Sequence, residues 1–110
     1  MTFEEYQKKA ITTAVNDHEP LMEKTIWVMG IAGEAGEVLE KWKKIVAYNH
    51  GKVTSGDLQG LKKELGDVIW YIAVLADSLG LSLEDIVKLN VEKLADRTKR
   101  NVIRGSGDNR

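Results

Sequence analysis

Apolar residues recur three and four positions apart along most of this chain, the spacing that lines one face of an α-helix. The most regular run is Leu58, Leu61, Leu65, Val68, Ile72, Leu75 and Leu79, widened by Ile69 and Ala76. It predicts a helix over about Asp57–Leu79, central in a bundle, with Gly80 placed for a left-handed C-cap. Upstream, Val28, Ile31, Ala35, Val38, Trp42 and Ile45 form a seam on a longer helix, about Leu21–Ala47, that is predicted to face other helices. Phe3, Tyr6, Ala10, Thr13 and Ala14 mark a first helix from Thr2 or Phe3 to about Asn16, with capping-box spacing at Thr2 and Glu5 and a stop before Pro20. Leu83, Ile86, Val87, Leu89, Val91 and Leu94 mark a fourth, opened by Ser82 and Asp85 and ending near Lys99 or Arg100.

No stretch alternates with the period of two that a strand requires, and Tyr48–Gly56 reads as a turn. The expected fold class is all-α, a four-helix bundle-like chain in which short connections favour antiparallel neighbours. Residues 1–100 read as one domain and 101–110 as a basic, glycine-rich, irregular tail that can order on a ligand or a partner subunit. Gly30, Gly33 and Gly36 interrupt the second helix, each costing up to ~1 kcal/mol against alanine. They point either to close approach by a neighbour or a ligand, or to plain tolerance.

Composition narrows the chemistry. There is no cysteine, so disulfides, thiolate zinc sites and cysteine nucleophiles are excluded. A formal charge of -1 gives no reason to expect a nucleic-acid or membrane-surface partner. No apolar run reaches the ~18 residues of a membrane span, and the acidic Met1–Glu5 segment is unlike a signal peptide, so the expected location is the cytoplasm.

The chemistry-bearing pattern is Glu34-Ala-Gly-Glu37-Val-Leu and its near copy Glu64-Leu-Gly-Asp67-Val-Ile. On a helix, positions i and i+3 sit ~60° apart and ~4.5 Å along the axis, so each motif pairs two carboxylates. A hairpin at the turn would bring all four to one height. Acids on helices are commonly solvated and paired with a lysine at i+4. Glu37 has Lys41 there and Glu40 has Lys44, whereas Glu34 and Glu64 have none. On a helical wheel Glu34 and Glu64 fall at the rim of the apolar stripe, with Glu37 and Asp67 further round. Converging carboxylates with no nearby histidine suit a hard divalent cation, Mg²⁺ first and Mn²⁺ second. Asn90, Lys93 and Arg97 form a polar stripe on the fourth helix, which reads either as a solvated basic face or as contacts to phosphate. Trp27, Trp42, Trp70 and Tyr71 are core or interface residues, with Trp27 and Trp70 as candidates for a base pocket. His18 and His50 fall in turns and carry no expected chemistry.

The paired motif, the helix lengths and the Asn90-x-x-Lys93-Leu94-x-x-Arg97 stretch together resemble the MazG-type nucleoside triphosphate pyrophosphohydrolases of the all-α pyrophosphatase superfamily. The resemblance runs from about the first helix to Arg97. It implies Mg²⁺ held by Glu34, Glu37, Glu64 and Asp67, a triphosphate contacted by Lys93, Arg97 and Asn90, and cleavage between the α- and β-phosphates. Some relatives carry a further acid just before the motif, where this chain has Gly33, which leaves Glu34 as the candidate general base. Family members are dimers or dimers of dimers, and the exposed tryptophans and isoleucines expected of so small a chain agree, so a homodimer or homotetramer is predicted. The alternatives are a phosphoribosyl-ATP pyrophosphatase-like enzyme and a non-catalytic helical binding or regulatory module.

Overall fold

The computed structural model describes residues 1–15 and 17–110. They form α1 (Phe3–Ile11), α2 (Pro20–Asn49), α3 (Ser55–Ser78) and α4 (Leu83–Lys99), with no strand among the described residues. The all-α class agrees with the three- and four-residue spacing.

Helix boundaries obey local chemistry. The Thr2 hydroxyl accepts from Glu5 N at 3.1 Å and caps α1. α1 stops at Ile11, short of expectation, because the Thr12 and Thr13 hydroxyls donate to the carbonyls of Lys9 and Ala10 at 2.6 and 2.8 Å. The expected end at Asn16 lies outside the described residues. α2 starts with Pro20 at its first turn and closes on His50, whose backbone is left-handed at φ 54°. α3 begins two residues before the expected Asp57, since Thr54 and Asp57 form a complete capping box. Gly80, at φ 72°, succeeds α3 as predicted, and Leu81 N donates to Ala76 O at 2.8 Å.

α3 is the central helix. It packs most extensively against α2 and also meets α1 and α4. The core sits at its C-terminal end, where Ala10, Trp27, Ala73, Val74 and Leu83 are buried and Tyr6, Trp70, Tyr71 and Leu75 close round them. Gln7 is the buried polar member. Its amide donates to Ala73 O and Leu81 O at 3.2 and 3.0 Å and accepts from Leu83 N at 3.0 Å. α4 then turns 107° from α3, a crossing rather than the aligned neighbour that a short loop favours. No single helix among the described residues is long and apolar enough to cross a membrane.

Much of the predicted apolar seam is left uncovered. Among the described residues the backbone of α2 approaches that of α3 and of no other helix, so Val28 and Trp42 stay about half exposed while Ile45 is buried. Leu58 and Leu65 on α3 are likewise open. The accessible surface is 8200 Å². A compact monomer of 12.3 kDa would expose about 6,100 Å². The radius of gyration, 16.9 Å, likewise exceeds the ~13 Å of a compact chain this long.

The three α2 glycines differ. A Cβ on Gly30 would run into the Tyr71 ring, whereas one on Gly33 or Gly36 would meet nothing within 4 Å. Tyr71 cannot simply swing away, because it packs edge-on to Trp70 at 4.9 Å. Gly30→Ala is therefore expected to lower stability by ~1–3 kcal/mol in urea unfolding. Gly33→Ala should raise it by up to ~1 kcal/mol. Equal effects of the two changes would contradict the packing described.

Candidate metal centre

α2 and α3 deliver three carboxylates to one place. One oxygen from each of Glu34, Glu64 and Asp67 lies within 4.8 Å of the others. Residues 31–40 and 61–70 have the same order of half-buried and exposed positions, so the two motifs occupy equivalent faces thirty residues apart. Glu34 and Glu64 are half-buried, while Glu37 and Asp67 are exposed. Along α3, Asp67 lies one turn before Trp70 and Tyr71, and along α2, Glu34 lies two turns after Trp27.

Electrostatics reflect this crowding. The Glu34 carboxyl is raised above its ordinary value of 4.5, first by partial burial and then by the negative charge of Asp67, Glu64 and Glu37. Glu37 thus stands near enough to repel Glu34 without joining the three-oxygen group. The Tyr6 hydroxyl is raised by burial and by Asp67, which places α1 against the acidic patch. Lys41 does not pair with Glu37 as its i+4 spacing suggested; it reaches across to Glu64 Oε1 on α3 at 3.6 Å. Glu40 pairs with both Lys43 and Lys44, and the Lys43 hydrogen bond leads in lowering its carboxyl below 4.5.

The residues fit a hard divalent cation. Two oxygens on opposite sides of Mg²⁺ are ~4.2 Å apart, so three within 4.8 Å need only small rotamer adjustments to share one ion. A bound cation would also remove the repulsion that raises Glu34.

The stripe on α4 divides in three. Asn90 is exposed, beside Phe3 and Glu84 in a groove of about 420 Å³. Lys93 is half-buried and Arg97 only 5% exposed. Both basic groups meet Asp108 of the tail: Lys93 Nζ lies 2.8 Å and Arg97 Nη2 3.2 Å from its Oδ1, and Arg97 Nη2 donates to its carbonyl at 2.6 Å. Tail contacts of this kind are invisible to helical periodicity. An aspartate fifteen residues from a lysine is the only signal the sequence offers.

Trp27 is 7% exposed and packs edge-on to Trp70 at 5.6 Å. Its indole donates to Glu23 Oε1 at 3.1 Å, and that of Trp70 to Thr13 Oγ1 at 2.8 Å. Together with Thr13, His18, Glu23 and Ile26 they line a depression of about 300 Å³. One further residue at the site, Tyr6, escapes sequence reasoning. Spacing places it on the apolar face of α1, and only the tertiary structure brings it to the α3 segment that carries Asp67.

Residues 23–102 match the family described as the MazG nucleotide pyrophosphohydrolase domain, a span holding Glu34, Glu37, Glu64, Asp67 and the α4 residues above but not Asp108. Over 109 residues the chain is 41% identical to the Gene 37 protein of Mycobacterium phage L5, covering 96% of each chain. A 39-residue stretch is 56% identical to the Uncharacterized protein YvdC of Bacillus subtilis (strain 168), 36% of this chain and 37% of that one. No solved structure matches the chain.

The raised Glu34 carboxyl has a measurable consequence. The folded chain holds this proton more tightly than the unfolded chain, so the associated stability is complete below pH 4.5 and is lost as pH rises through the higher folded value. Glu34→Gln is therefore expected to raise the melting temperature of metal-free protein at pH 7, with the gain fading towards pH 4. Melting in EDTA across that range checks it, and a lower melting temperature at pH 7 would refute it.

Proposed function

Because the chain belongs to the MazG nucleotide pyrophosphohydrolase domain family, we propose that it is an Mg²⁺-dependent nucleoside triphosphate pyrophosphohydrolase. It would convert a nucleoside or deoxynucleoside triphosphate to the monophosphate and pyrophosphate, in nucleotide-pool housekeeping. The observation that carries this reading is the convergence of Glu34, Glu64 and Asp67 within the matched span.

Glu34, Glu64 and Asp67 would hold the ion, with Glu37 one turn along α2 able to close on it from the exposed side. Mg²⁺, when bound, supplies charge neutralisation for the phosphates and acidifies water. Glu34 would accept a proton from the attacking water, because Gly33 stands where some relatives carry a further acid. The α-phosphorus would be attacked and pyrophosphate would leave, its oxygens held by Lys93, Arg97 and Asn90. Lysine and arginine suit that task as charged donors. Trp27 and Trp70 flank a depression that could receive a base, with Trp70 the more open of the two.

Residues 1–100 would act as one domain, with an antiparallel α2–α3 hairpin. The opposition of Gly30 to Tyr71 and of Lys41 to Glu64 supports that arrangement. A homodimer or homotetramer is the proposed assembly. The ~2,000 Å² of excess surface is the scale of an obligate interface, and α2 carries much of its exposed apolar part.

Incubation of nucleoside triphosphates with Mg²⁺ should yield monophosphate and pyrophosphate. Release of diphosphate and orthophosphate would overturn the reading. Asp67→Asn is expected to cut turnover at least about a hundredfold, because the charge stabilisation it anchors is worth several kcal/mol. In sedimentation at micromolar concentration the chain should run as a dimer or larger; a monomer alone would remove the assembly.

A further inference from the structure

We propose that the 101–110 segment is an intramolecular competitor of the substrate, a strap whose Asp108 carboxylate occupies the cationic pair Lys93 and Arg97 until a polyphosphate displaces it. The proposal rests on the assignment of Lys93 and Arg97 as phosphate contacts.

Three observations lead there. First, a single carboxylate oxygen, Asp108 Oδ1, bridges both basic groups, at 2.8 Å from Lys93 Nζ and 3.2 Å from Arg97 Nη2. That is how one oxygen of a phosphate would sit between them. Second, Arg97 is 5% exposed with the strap in place, so a triphosphate cannot take its fork unless the strap moves. Its Nη2 is spent on Asp108, and its buried Nε has no partner. An arginine used only as a structural anchor would be expected to have its donors met. Third, the strap is shaped but lightly held. Gly105 and Gly107, at φ 155° and 87°, permit its turns. Arg110 gathers it by donating to the carbonyls of Val102, Ile103 and Gly107, and Arg100 Nη2 donates to Arg110 O. Asp108 itself is exposed.

The Lys93 hydrogen bond, then that of Arg97, holds the Asp108 carboxyl below its ordinary value, so the competitor is charged at neutral pH. A triphosphate brings several charged oxygens against one carboxylate. The strap therefore lowers apparent affinity for polyphosphates without abolishing binding.

Calorimetric titration of the full chain with inorganic tripolyphosphate, without Mg²⁺, tests this. Asp108→Asn is expected to tighten binding about threefold or more, the scale on which an exposed ion pair competes. Arg110→Ala, which unfastens the strap without touching the cationic pair, should act in the same direction and serves if Asp108→Asn fails to fold. Adding Lys93→Ala to Asp108→Asn should abolish the gain. Unchanged or weaker binding in both single variants would overturn the proposal, as would a gain that survives loss of Lys93. Parallel assays with nucleoside triphosphates separate the two readings. Tighter tripolyphosphate binding without any hydrolysis would defeat the enzymatic function alone. Hydrolysis with no tightening would defeat the strap alone. Where both hold, Asp108→Asn should lower KM and leave kcat in place.

Discussion

The fold turns on one buried amide. Leu83 is buried and opens α4, so its N–H has no partner within that helix. Gln7 meets it and, with the same side chain, donates to the carbonyls of Leu81 and Ala73. These groups belong to the corner at which α3 ends and α4 begins. Leaving such a group unmet costs ~1–3 kcal/mol, so α1 fixes the corner although it belongs to neither helix. The 107° turn of α4, and with it the position of Lys93 and Arg97, depends on that fastening.

Against this fixed end the paired α2 and α3 carry the opposite kind of energetics. Glu34, Glu64 and Asp67 repel one another at the edge of the core, with Lys41 the one basic side chain paired with any of them among the described residues. The neighbouring aromatic packing, Trp27 on Trp70 and Tyr71 against Gly30, limits how far the two helices can separate to relieve the repulsion. A rigid core beside concentrated like charge is an arrangement in which a cation relieves repulsion without rebuilding the fold.

How much of this is legible in the sequence depends on the range of the interaction. Spacing suffices for the four helices, and local chemistry for Gly80 and the Ser82 cap. The half-buried standing of Glu34 and Glu64 is visible on a helical wheel. Contacts between distant segments require the structure. Gln7 lies on the apolar face of α1 between Phe3 and Ala10, yet nothing local says that a corner over sixty residues away needs its amide. Lys41 has an acid at the proper spacing on its own helix but finds Glu64 instead. The seam on α2 is evident from spacing, but not that a single helix accompanies it.

The matched burial of residues 31–40 and 61–70 means that the site is written as distance along the chain. Each residue added within a helix rotates all later positions by ~100°. One insertion between Glu37 and Asn49 would therefore carry Glu34 away from Glu64 and Asp67 although no acid is lost from the sequence. The same insertion between His50 and Thr54 falls in the loop, where added length is taken up as slack. Among relatives, variation in length is thus to be sought in the connection and not in the arms.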